Sequence, residues 1–164
     1  MNFKARNAKV EDLEGILAIV NYNILNTTSI YDYEPRTLLQ QKAIFEDKIK
    51  HNFPLIVVEI DGEIACFGTY GTFRFKEGYK YTVEHSVYVA LKHQGKGLGK
   101  IVLTELIAIA QKQKLHTMIA VIDAENQSSV EFHKQFGFET VGILKESAYK
   151  FDKWLDTVFM QLIL

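Results

Sequence analysis

The chain predicts an α/β fold in a single domain, residues 1–164, built around a mixed sheet of about seven strands. Three observations carry this reading. Strand and helix patterns follow one another in the order β-α-α-β-β-β-α-β-α-β-β. Two of the strand patterns meet at Asp61-Gly62, a dipeptide suited to a tight hairpin. An apolar run, "SVYVAL", enters the glycine-rich stretch "LKHQGKGLGK" and leaves it as the helical pattern "IVLTELIAIAQKQ". A chain of 164 residues is long enough to close a substantial core in one domain.

Taken in order, the alternating stretch "NFKARNA" opens as a short strand. In "VEDLEGILAIVNYNIL", Leu13, Ile16, Leu17, Val20 and Ile24 fall on one stripe, which makes the segment a helix with a buried face. "TTSIYDYEP" has turn chemistry, and Pro35 is placed to open the next helix, "RTLLQQKAIFEDKIK". "PLIVVEI" and "EIACFGTYGTFRF" are the arms of the Asp61-Gly62 hairpin. "GYKYTVEHSVYVAL" is a further strand, and the helix "KIVLTELIAIAQKQ" follows its glycine turn. "LHTMIAVID" reads as a buried strand, and "NQSSVEFHKQF" as a short helix ended by Gly137, a good C-cap residue. "GFETVGILKE" and "WLDTVFMQLIL" close the chain as two strands.

Composition narrows function by exclusion. Hydrophobic residues make up 48% and charged residues 24%, the mix of a globular protein. A formal net charge of −1 gives no long-range attraction to nucleic acid or to a membrane surface. Neither is expected as a partner, and any anion site has to be local. The lone Cys66 cannot close an intrachain disulfide, which fits a reducing compartment. The start "MNFKARNAKVEDLEG" has no apolar secretory core, and no run approaches a membrane span. The cytoplasm is therefore the expected location. No His/Cys cluster has ligand spacing, so no metal is expected.

The stretch "LKHQGKGLGK" places three glycines between a strand and a helix. The first N–H groups of a helix lack intrahelical partners, and the helix dipole adds partial positive charge there. Glycines let a ligand approach that backbone, and Lys92, Lys96 and Lys100 add local attraction. This is an anion site, best suited to phosphate groups. A P-loop ending at Gly99-Lys100 would need Gly at 94 and Ser or Thr at 101, where Gln94 and Ile101 stand. A dinucleotide fingerprint from Gly95 would need a third glycine where Lys100 stands.

Gln94-Gly95-Lys96-Gly97-Leu98-Gly99 does match the Gln/Arg-x-x-Gly-x-Gly/Ala signature of the GCN5-related N-acetyltransferases, which the chain resembles. "YTVEHSVYV", "NQSSVEFHKQFGF" and "YKFDKWLD" are similar to the subgroup acting on phosphinothricin and methionine sulfoximine, in order along nearly the whole chain. The resemblance implies a mostly antiparallel sheet of about seven strands with about four flanking helices. It implies acetyl-CoA as cosubstrate and direct transfer to the primary amine of a small amino-acid-like acceptor in a ternary complex. It also implies a homodimer. A protein or peptide acceptor, and a non-catalytic acyl-CoA-binding regulatory module, are the alternatives.

Acyl transfer to an amine needs a base for the ammonium, donors for the carbonyl oxygen and, for the thiolate, an acid. Glu84 interrupts an apolar-rich strand and, by the resemblance, is the general base; His85 is its rival. Strict alternation puts Glu84 with Ser86 and Tyr88, and His85 with Val83 and Val87. The resemblance places the cofactor along Val87, Tyr88 and Val89, with its pyrophosphate on Gln94, Gly95, Lys96, Gly97, Leu98, Gly99 and Lys100. It places His133 where many members carry an acidic tyrosine, either as proton donor or merely as a neighbour of the cofactor. Asn126 is a helix cap, a ligand to the pantetheine arm, or both. Arg74, Phe75 and Lys76, with Glu84, His85 and Ser86, make up the expected acceptor pocket. A guanidinium such as that of Arg74 pairs well with an amino-acid carboxylate. Trp154 belongs either to the core or to a subunit contact.

Overall fold

The computed structural model describes residues 3–164; Asn2, the first residue of the expected opening strand, lies outside them. The element order is the expected one: β1 (Ala5–Asn7), α1 (Leu13–Asn26), α2 (Leu38–Lys50), β2 (Leu55–Ile60), β3 (Glu63–Thr72), β4 (Thr82–Val89), α3 (Leu98–Lys112), β5 (Thr117–Asp123), α4 (Gln127–Lys134), β6 (Glu139–Lys150) and β7 (Lys153–Ile163). The strands form one sheet in the order β1-β2-β3-β4-β5-β7-β6. Every neighbouring pair is antiparallel except β4 and β5, which run parallel.

Both faces of the sheet are covered. Ile56 and Val58 of β2 join a core with Val102, Leu103 and Leu106 of α3. Leu55 and Val57 of the same strand face Ile16, Val20 and Ile24 of α1 and Phe45 of α2. This explains why "PLIVVEI" has no polar alternation: a strand buried on both sides has no solvent face. Along α1 the buried stripe includes Ile19, while Leu17 is only half-buried.

Local chemistry fixes the joints. Asp61 and Gly62 take φ of 52° and 81°, the left-handed pair that a two-residue hairpin needs. Pro35 does not open α2. Thr37 does, as a capping box in which the Gln40 amide donates to Thr37 Oγ1 at 3.2 Å and the Thr37 amide donates to Gln40 Oε1 at 2.8 Å. β3 stops at Thr72, three residues before the expected end, because 73–81 is a loop containing one 3-10 turn.

α3 lies tightly on β3 because Gly68 has no side chain. A Cβ there would meet Val102 Cγ1 at 2.5 Å and the Ser86 carbonyl at 3.0 Å. Trp154 is 59% exposed, on the surface of the β6–β7 ribbon, edge-on to Tyr149 at 5.0 Å. Gly68→Ala is expected to lower stability by ~1–3 kcal/mol through overpacking. A urea midpoint equal to wild type would show that α3 is free to shift.

Candidate active site

The parallel pair sets the site. β4 and β5 are paired only over Thr82–Glu84 and Thr117–Ile119. β4 stays bonded to β3 as far as Val89, and β5 to β7 as far as Asp123. Beyond residue 84 the two strands therefore part, and the edge of β4 facing the gap has no strand partner. A cavity of about 330 Å³ fills the parting, lined by Glu84, His85, Ser86 and Tyr88 on one side and Asp123 and His133 on the other.

The glycine turn closes the far end. Gly97 caps α3 with φ 76° and offers no side chain to its free amides. Gln94, Gly95 and Gly99 line a second cavity of about 370 Å³ with Val87, Val89 and Asn126, and Tyr88 and Ser129 border both cavities. The Leu98 side chain is buried in the core, so only its backbone belongs to the turn. A Cβ on Gly99 would sit 3.5 Å from Phe132, an ordinary contact, whereas Gly95 and Gly97 have left-handed φ that a side chain would strain. Two of the three lysines are engaged elsewhere: Lys92 pairs with Glu63, and Lys96 donates to His93 Nδ1 at 2.9 Å. Asn126 does cap α4, accepting from the Ser129 amide at 3.1 Å.

The β3–β4 ladder runs without a register shift, so the expected parity holds. Glu84 opens to solvent at the base of the cleft, and partial loss of hydration there raises its carboxyl above the usual range. The charges of Arg74 and Lys48 act against that rise. His85 is buried, its ring 5.0 Å from that of His133 and 5.4 Å from Phe138.

The histidine pair has a definite proton arrangement. His133 Nδ1 lies 2.6 Å from the Ser129 carbonyl, which only accepts, so Nδ1 carries a proton. In the neutral ring Nε2 is then an acceptor, and His85 Nε2–H donates to it across 3.2 Å. His85 Nδ1 is left without a partner. Burial lowers both pKa values, that of His85 to about 3 with the His133 charge adding to the effect. In this arrangement His133 Nε2 has no proton to give.

The 73–81 loop divides the expected acceptor residues. Arg74 is near enough for its charge to act on Glu84, and its guanidinium lies 5.3 Å from the Phe73 ring centre. Arg74 and Lys76 are exposed, Phe75 is 95% exposed, and none of the three lines the cleft itself. In their place α2 and the segment before it bring Arg36, Gln41 and Lys48 behind Ser86 and Tyr88. The signal was present in the sequence: Gln41, Phe45 and Lys48 share a helical face with a core residue at its centre.

Residues 5–159 match the acetyltransferase (GNAT) domain. The chain belongs to the GNAT acetyltransferases. The L-methionine sulfoximine/L-methionine sulfone acetyltransferase of Pseudomonas aeruginosa is 42% identical over 163 residues, 99% of this chain and 95% of that protein. An N-acetyltransferase from Staphylococcus aureus Mu50 superposes with a TM-score of 0.97 at 42% identity, covering 99% of both chains. A phosphinothricin acetyltransferase from Sinorhizobium meliloti, solved with AcCoA, has a TM-score of 0.96 at 32% identity, covering 100% of this chain and 89% of that one. Among the described residues no three His, Cys, Asp or Glu side chains group as a metal site would require. No helix there is long and apolar enough to cross a membrane.

The buried histidine ties stability to pH. Unfolded, His85 takes up a proton as pH falls through about 6.5. Folded, it stays neutral until about 3. Its contribution is full above the unfolded value and is lost as pH falls through this window. The urea midpoint is expected to drop over this range more steeply in wild type than in His85→Leu; parallel curves would show that His85 protonates freely in the fold.

Proposed function

We propose that the chain transfers the acetyl group of acetyl-CoA to the primary amine of a small amino-acid-like acceptor, of the methionine sulfoximine and phosphinothricin type. The observation that carries this reading is the parting of β4 from β5, with a carboxylate at one end and a glycine-lined helix N-terminus at the other. The residues fit the cosubstrate: the α3 amides behind Gly97 and Gly99 suit a pyrophosphate. Gln94 and Gly95 line the cavity beside it, Lys96 and Lys100 belong to the same turn, and the unpaired edge at Val87, Tyr88 and Val89 suits an extended pantetheine arm beside Asn126. Bound there, acetyl-CoA supplies an acetyl thioester.

Glu84 takes the proton from the acceptor ammonium, directly or through one water, and a carboxyl raised above its usual range is a better base than a free glutamate. Backbone N–H groups at the free edge of β4 stabilise the carbonyl oxygen as it becomes negative. Arg74 pairs with the acceptor carboxylate. His133 orients His85 and the cleft wall and leaves the thiolate to take its proton from elsewhere. Transfer is direct, without an acetyl-enzyme: Cys66 is fully buried and its thiol is pushed up to about 12 by desolvation.

A small acceptor is favoured over a peptide because the 27–36 segment is pinned over the cleft. Lys150 donates to the carbonyls of Thr27, at 2.8 Å, and Ile30. The Tyr33 hydroxyl donates to the Tyr149 carbonyl at 2.5 Å. A cytoplasmic location accords with a lone buried cysteine. A homodimer accords with β6, an edge strand that leaves Val141, Ile143 and Leu144 exposed.

Glu84→Gln is expected to lower kcat by ~10²–10⁴-fold near neutral pH while leaving acetyl-CoA affinity intact. The deficit should shrink at high pH, where the amine deprotonates unaided. Normal turnover at pH 7 would remove Glu84 from the base role. Gly99→Val, which the fold accommodates better than changes at Gly95 or Gly97, should weaken acetyl-CoA binding in calorimetry without changing acceptor affinity. Sedimentation should give twice the chain mass for wild type and the single mass for Ile143→Lys; a monomeric wild type at micromolar concentration would end the dimer reading.

A further inference from the structure

We propose that the pocket between α2 and the β3–β4 face holds the acceptor's side-chain head, a tetrahedral group that carries both an oxygen and an N–H, as a sulfoximine does, on an unbranched apolar stem. The proposal rests on the acetyl-transfer reading above. The pocket measures about 220 Å³, room for roughly seven waters at ~30 Å³ each, and shares Ser86, Tyr88 and Ile30 with the cleft. Its walls are apolar where Val20, Ile44, Leu55 and Phe67 meet, and its polar groups are Arg36, Gln41, Lys48 and the hydroxyls of Thr69, Ser86 and Tyr88.

Gln41 is the observation that points to a ligand. It is 3% exposed on an otherwise largely solvated helix, and its Oε1 has no hydrogen-bond partner among the described residues. Buried polar groups are normally satisfied, and an unsatisfied one lining a cavity calls for an occupant that completes it. The unpartnered atom is an acceptor, so the occupant that completes it has to donate: a sulfoximine N–H does so, while the sulfoximine oxygen is left for the neighbouring donors. Lys48 spends one hydrogen on the Tyr70 carbonyl at 2.9 Å and keeps two. Arg36 gives one contact to Asp32 at 2.9 Å. Its backbone is fixed by Asn21, which accepts from the Arg36 amide at 2.8 Å and donates to its carbonyl at 2.9 Å. These donors converge on an oxygen-rich group.

The shape assigns the head group here and leaves the α-carboxylate to Arg74. A carboxylate lies one carbon from the amine that Glu84 must reach, whereas the apolar walls need a stem between amine and polar end. Methionine-like side chains with an oxidised sulfur have such a stem.

The test compares L-methionine sulfoximine with L-norleucine, which has the stem and no head. In Gln41→Leu the ratio of kcat/KM for sulfoximine over norleucine is expected to fall about tenfold or more, with the KM for acetyl-CoA unchanged. The thermal midpoint should stay level or rise, because the substitution removes an unsatisfied buried group; a merely structural glutamine would lower it. Lys48→Met should lower the same ratio. An unchanged ratio in both variants, even with both acceptors slower, would overturn the pocket assignment. If wild type acetylates neither acceptor, calorimetry of methionine sulfoximine in the presence of CoA decides. Binding that Gln41→Leu abolishes would support the pocket while refuting the transfer reading; no binding to wild type would overturn the pocket as well.

Discussion

The structure depends on one parallel strand pair that fails to stay paired. Antiparallel neighbours hold β4 on one side and β5 on the other for their whole lengths, yet the two share only three residue pairs with each other. Had they continued together, the edge amides from Ser86 to Val89 would have been consumed in the sheet. Parting leaves them free, and it does so between Glu84 and the first turn of α3. The proposed chemistry, proton removal at one end and anion binding at the other, follows from that geometry.

The packing around the gap keeps it open. Gly68 lets α3 rest on β3, which aims the helix N-terminus along the gap. His85 and His133 fill the floor as a neutral, directional pair. Lys150 reaches from β6 to hold the 27–36 segment over the other side, so the edge of the sheet is mechanically joined to the wall of the cleft.

Much of this was legible in the sequence. The order of elements followed from periodicity, the hairpin from Asp61-Gly62, and the glycine turn from its spacing between strand and helix. The parity of β4 was readable because no bulge intervenes, and it assigned Glu84 and His85 to opposite faces. The acceptor side was less legible. Phe75 and Lys76 stand next to Arg74 in sequence but turn to solvent, since loop direction is set by tertiary contacts and not by local pattern. Lys92 and Lys96 are cations near the turn whose charge goes to Glu63 and His93. Gln41 and Lys48 share a helical face with Phe45, a pattern visible in the sequence, but only the tertiary packing of α2 shows which strands that face meets.

Amide hydrogen exchange with and without acetyl-CoA tests the gap most directly. The amides of residues 87–89 and 95–100 should slow on addition of the cosubstrate, while those of the β6–β7 ribbon keep their rates. Protection confined instead to the open groove beside α1, around Gly15 and Ile64, would contradict the parting of β4 and β5 as the cosubstrate site.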